Sequence, residues 1–87
     1  MITRKATIAS SVGLHARPAA MFVQKAAATG VNVTVTLGDK QVNASSILEV
    51  MTLGAKHGDV VELSTADDSA GAALDELVAL LETDLDA

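Results

Sequence analysis

The chain has no cysteine, no tryptophan and no tyrosine, and Phe22 and Pro18 are its one aromatic residue and its one proline. Without thiols there are no disulfides, no thiolate nucleophile and no cysteine-ligated metal. Duplex phosphates call for a basic face and single strands for aromatic platforms, so a net charge of -5 with a single aromatic ring excludes nucleic-acid binding. Long apolar runs are missing as well. The longest, LVALL at 77–81, is far too short to span a bilayer, and the opening MITRKATIASSV lacks the continuous apolar stretch of a signal peptide. The expectation is a soluble, cytoplasmic protein with no membrane insertion.

What is present is enough for one small domain, residues 1–87. A chain of this size buries only about 60–65% of the surface it exposes when unfolded. At 49% hydrophobic it can still build a core, chiefly from alanine, valine and leucine. Charge is unevenly distributed: Arg4, Lys5, Arg17 and Lys25 all precede the first acid, Asp39, whereas from Gly58 onward there are nine acids and no lysine or arginine. The N-terminal third is therefore free of acids near in sequence, which suits an anion.

Hydrophobic periodicity divides the chain into seven segments. Residues 2–9 alternate with Ile2, Arg4, Ala6 and Ile8 on one side, an apolar set that Arg4 interrupts. Ala19, Phe22, Val23 and Ala26 follow helical spacing between Ala16 and Thr29, and Gly30 supplies the stop. VNVTVTL at 31–37 alternates cleanly and turns at Gly38-Asp39 into KQVNA. Ser46 and Glu49 fit a capping box for a short helix that ends at Gly54. DVVELST at 59–65 reads as the last strand, and the tail from Asp67 as a helix with acids in its first turn and Leu74, Leu77, Val78 and Leu81 on one face. This order predicts an α+β open-faced β-sandwich, βαββαβα, with a four-stranded antiparallel sheet and three helices on one face.

One stretch concentrates the unusual residues. GLHARPAA at 13–20 holds one of the two histidines, then Arg17, then Pro18. Proline is tolerated in a helix's first turn, so Pro18 marks a beginning and puts His15 at or just before it. The N–H groups of Ala16 and Arg17 then lack intrahelical partners, and the helix dipole adds partial positive charge. An imidazole nucleophile, loose donors and a guanidinium together suit a covalently bound phosphoryl group. On the residues alone the plainer reading stays open: a polar residue starting a helix, followed by an exposed charge. A metal site is not expected, because His57 is the only other histidine and neither has a ligand partner at helical spacing.

GLHARPAA, SSILEVMTLGA and the element order together resemble the HPr family, the histidine-containing phosphocarriers of the bacterial phosphoenolpyruvate-dependent sugar phosphotransferase system. The likeness runs over essentially the whole chain in matching register. It implies that His15 accepts a phosphoryl group on Nδ1 from phosphorylated Enzyme I and passes it to the IIA components of sugar permeases. Ala16 and Arg17 would offer backbone N–H groups, the Arg17 side chain would neutralise charge, and Pro18 would set the helix start. The resemblance also implies a monomeric carrier, not an enzyme, with no cofactor.

Further positions carry over residue by residue. Ala20, Ile47, Leu48 and Met51 would form the docking patch, with Lys25 supplying positive charge beside it. Ser46 aligns with a serine that a kinase phosphorylates in some members, which would add a serine kinase or a transcriptional regulator to the partners; its role as a helix cap is the structural alternative. Val12 stands where many members have Asn or Ser, and Gln24 where some have Lys. Lys56 and His57 match no functional position and read as an exposed polar turn. Two rival functions share the histidine or the patch: a paralogous phosphocarrier in a nitrogen-related or dihydroxyacetone relay, and a regulatory binding domain that is never phosphorylated.

Overall fold

Each alternating stretch becomes a strand, and the sheet register puts their apolar positions on one face. A computed structural model of the chain describes residues 1–84. Its elements are β1 (Ile2–Thr7), α1 (Ala16–Ala28), β2 (Thr34–Leu37), β3 (Lys40–Asn43), α2 (Ile47–Thr52), β4 (Val60–Thr65) and α3 (Gly71–Leu81). The strands form one antiparallel sheet in the order β1-β4-β2-β3. Val35 lies opposite both Val42 and Leu63, and Ala6 opposite Val61, and all five are buried. Lys5, Glu62, Thr36 and Gln41 line up across the other, polar face in the same register.

The helices cover the apolar face, as the periodicity predicts. Pro18, Ala19, Phe22 and Ala26 of α1, Val50 of α2, and Leu74, Leu77 and Leu81 of α3 are buried against it. Phe22 has no exposed surface; burying such a side chain contributes roughly 1.5–3 kcal/mol. Arg4, the polar member of the first strand's inward set, is half-buried, and its Nε donates to Asp75 Oδ1 of α3 at 2.9 Å. Its stem covers apolar surface while its head reaches a carboxylate at the rim.

The structure departs from the pattern at the ends of elements. β2 starts at Thr34, not Val31, because the ladders to β3 and β4 both end at Thr34; Val33 still accepts from Ala44 N at 2.9 Å and stays buried. β1 ends at Thr7, yet Ile8 N and Ala9 N continue bonding, to the carbonyls of Asp59 and Leu81. The acids expected in the first turn of α3 precede it. Asp68 pairs with the terminal amine at 2.6 Å, and Asp67 accepts from Ser69 Oγ and N, bonds that hold its carboxyl below the usual range.

The capping box at α2 is half formed. Ser46 Oγ accepts from Glu49 N at 3.4 Å, but Glu49 Oε1 accepts from Asn43 N at 3.1 Å instead of from Ser46 N, which donates to the Asn43 carbonyl. The Glu49 carboxylate thus ties α2 back to the end of β3. Since the cap bond is long, Ser46→Ala should cost only about 0.5–1 kcal/mol, at the low end for lost caps, as read by urea unfolding.

Candidate functional site

The segment joining β1 to α1 presents His15 on a fixed backbone. Gly13 N donates to Ser10 O, closing a turn, and Leu14 N donates to Ala55 O, both at 2.9 Å. The Leu14 side chain is buried, and two positions beyond exposed Ala16 so is Pro18. Between these anchors His15, Ala16 and Arg17 are exposed. His15 is the N-cap of α1 in extended conformation and makes no side-chain cap bond, so its imidazole is not spent on the helix. The first intrahelical bond runs from Ala19 N to His15 O at 3.5 Å, which leaves the N–H groups of Ala16 and Arg17 ahead of the ladder.

Ala16 has φ +49, the only non-glycine residue with positive φ among the described residues. For an L-residue with a Cβ that region costs roughly 1–2 kcal/mol. The strain sits in the peptide chain that carries the two open donors, directly after the histidine, where buried neighbours on both sides hold it in place. Replacing Ala16 by Gly removes the Cβ clash but loosens the unfolded chain. The expected net result is a gain of about 0.5–1 kcal/mol in chemical denaturation.

α2 packs against α1. Its Val50 points inward, leaving Leu48 at 76% and Ile47 at 37% exposed, with Met51 and, on α1, Ala20 half-buried. Val12, at 54%, adds an apolar side chain in the turn before Gly13. Lys25 is directed elsewhere: its Nζ lies 3.9 Å from Glu76 Oε2 of α3. Gln24 is exposed, and Ser46 is half-buried at its cap. Lys56 and His57 are exposed in the loop between α2 and β4.

That loop holds what sequence reasoning overlooked. Gly13 has φ +74, and a Cβ there would fall 2.4 Å from Ala55 O and 2.9 Å from Lys56 Cα. Close backbone approach of the two loops therefore requires glycine. The signal available beforehand was a glycine directly before the site, but its partner is more than forty residues away in sequence, where periodicity has no reach. The α2–β4 loop is itself braced: Asp59 Oδ2 accepts from Lys56 N at 2.9 Å and Asp59 N donates to Lys56 O at 3.0 Å, while Ile8 pairs with Asp59 and Gly58.

Chemically, this is an exposed imidazole followed by open backbone donors and, two residues on, an exposed arginine. Among the described residues no cluster of three or more His, Asp or Glu side chains is placed to hold a metal, and no helix is long and apolar enough to cross a membrane.

Comparison with known proteins agrees with the fold. Residues 2–83 match the family PTS-HPr, described as the PTS HPr component phosphorylation site. The phosphocarrier protein HPr of Streptomyces coelicolor is 42% identical over 87 residues, 99% of this chain and 94% of that protein. The crystal structure of HPr-C-His from Thermoanaerobacter tengcongensis superposes with a TM-score of 0.87 at 43% identity, covering 94% of this chain and 92% of the other. Crh, the catabolite repression HPr of Bacillus subtilis, has a TM-score of 0.70 at 33% identity over 97% of this chain and 100% of its own. With its fold, exposed histidine and whole-length match in accord, the chain belongs to the HPr family of phosphocarriers, which carry a phosphoryl group and are not enzymes.

Proposed function

We propose that this chain is the general phosphocarrier of a sugar phosphotransferase system, taking a phosphoryl group from phosphorylated Enzyme I onto His15 and giving it to IIA components. The observation that carries the reading is the exposed, unbonded His15 at the N-cap of α1, ahead of two N–H groups outside the helical ladder. In the forward step Nδ1 of the neutral ring forms a bond to phosphorus while the bond from phosphorus to the donor's side chain breaks. The Ala16 and Arg17 N–H groups and the Arg17 guanidinium receive the phosphoryl oxygens. The second transfer repeats this exchange with the acceptor as nucleophile.

A carrier has to release what it takes. Few, exchangeable contacts at a surface serve that better than a deep pocket, and the donor and acceptor proteins supply the rest of the transition-state stabilisation. Ala20, Ile47, Leu48 and Met51 form the surface on which both dock, a small apolar patch suited to brief encounters, with Met51 adapting to different partners. Ser46 is a helix cap first. A phosphate there would be opposed by the Glu49 carboxylate and favoured by the helix dipole, so regulation by a serine kinase is a secondary role.

The likeness to Crh favours a second reading, a regulatory domain that binds through the patch alone. The open donors and guanidinium around His15 weigh against it, since patch binding needs neither. The test is intact mass after incubation with phosphoenolpyruvate and Enzyme I. One added phosphoryl group, lost in acid and retained in alkali, supports the carrier. No added mass with a demonstrably active Enzyme I overturns it.

A further inference from the structure

We propose that Lys56 is a second cation of the phosphoryl site, acting with Arg17 on the group carried by His15; this rests on His15 being the phosphoryl acceptor. Nothing in the local sequence connects Lys56 to His15, and the connection is made by the contact between the two loops. A Cβ on Gly13 would lie 2.9 Å from Lys56 Cα, and Leu14 N is bonded to the carbonyl of Ala55, the residue before Lys56. His15 is two residues beyond Gly13, at most about 7 Å along the chain, and an extended lysine stem reaches about 6 Å from Cα. When the two side chains turn toward each other, the lysine stem and the phosphorylated ring together span that separation.

Three of the other cations are paired elsewhere, and the fourth, Lys5, lies on the far face of the sheet. Of the six lysines and arginines, Arg4 is paired with Asp75 and Lys25 with Glu76, while Lys40 Nζ donates to Thr52 O. Lys5 faces Glu62 across the open side of the sheet. Arg17 and Lys56 remain, both exposed, Arg17 in the first turn of α1 four residues after Gly13 and Lys56 in the loop on which Gly13 rests. The charged and titratable groups near Lys56 are His57 and Asp59 on its own loop, and on the facing segment His15 and Arg17, which follow Gly13 in the chain. The Asp59 carboxylate is occupied by the backbone N–H of Lys56 itself, at 2.9 Å, which fixes the loop while leaving the ammonium free to turn toward an anion. Before phosphorylation this cation has no anionic partner among the described residues. Afterwards it faces a doubly charged one, so its contribution is made in the loaded state.

The experiment loads His15 chemically, with potassium phosphoramidate, and follows the 31P chemical shift of the phosphohistidine against pH. A neighbouring ammonium favours the dianionic phosphoryl group. Lys56→Gln should therefore move the titration midpoint up by about half a pH unit. Lys56→Arg should restore it, and Lys5→Gln, which removes the same charge from the far side of the sheet, should leave it in place. A midpoint that Lys56→Gln leaves unmoved, or that Lys5→Gln moves equally, overturns the assignment while leaving the carrier reading standing. Failure of the parent protein to form phosphohistidine at His15 would overturn both. Thermal melts of each variant confirm that only the charge has changed.

Discussion

His15→Ala is expected to abolish phosphoryl acceptance outright, with no added mass after treatment with phosphoenolpyruvate and Enzyme I, while the protein stays folded. The loss is complete because the ring nitrogen forms the bond to phosphorus, and His57, the other histidine, lies in a different loop. Stability should hardly change. The His15 side chain is exposed and makes no cap bond, so alanine deletes no packing and no helix-starting hydrogen bond. Exposed substitutions of that kind stay within about 0.5 kcal/mol, a melting shift of no more than about 4 °C for a domain of this size. Normal acceptance by the variant would refute the site; a collapsed melting transition would mean that His15 builds the loop instead of being displayed by it.

The second large effect is on stability. Gly13→Ala places a Cβ 2.4 Å from a backbone oxygen and 2.9 Å from a backbone carbon, neither of which can swing aside as a flexible side chain would. It also puts that Cβ on a residue with φ +74. The left-handed conformation costs roughly 1–2 kcal/mol and the overpacking a further 1–3, so a loss of about 2–5 kcal/mol is expected in urea unfolding. Against the 5–15 kcal/mol typical of whole domains this approaches global unfolding. If the loops separate to relieve the clash, the Leu14–Ala55 bond goes with them, and residual folded protein should transfer phosphoryl groups slowly because His15 has lost its platform. An unchanged unfolding midpoint would show that the loops do not press together as described.

The two variants separate display from support. On the proposed reading His15 carries the chemistry and is expected to contribute little to stability, and Gly13 the reverse. Arg17 and Lys56 are both charged and exposed, Arg17 four residues after Gly13 and Lys56 in the loop on which Gly13 rests.

How much of this was legible beforehand depends on the range of the interaction concerned. The helical spacing of Ala19, Phe22 and Ala26 and the alternation of Val33 and Val35 report which face is buried, and those faces are buried. Pro18 marked the start of α1 because its restriction is covalent and local. Element ends were less legible. VNVTVTL alternates over seven residues, but the strand covers only its last four, because a ladder lasts only as long as both neighbours continue beside it. Spacing likewise put Glu49 within reach of Ser46 N, yet its side chain turned to Asn43 N, a choice made by where β3 ends. Asp67 and Asp68 resembled a helix's acidic first turn and instead serve a turn before it and the terminal amine.

By itself the sequence determined the element order, the apolar faces and the placing of His15, Arg17 and Pro18 at a helix start, because periodicity, capping and proline geometry act within a few residues. Only the tertiary structure decided that Gly13 rests on Ala55 and Lys56, that Lys25 turns to Glu76, and that Ala16 is held in a strained conformation between two buried anchors. These depend on chain segments brought together by burial of a common core, and that approach has no signature in the spacing of residues along either segment.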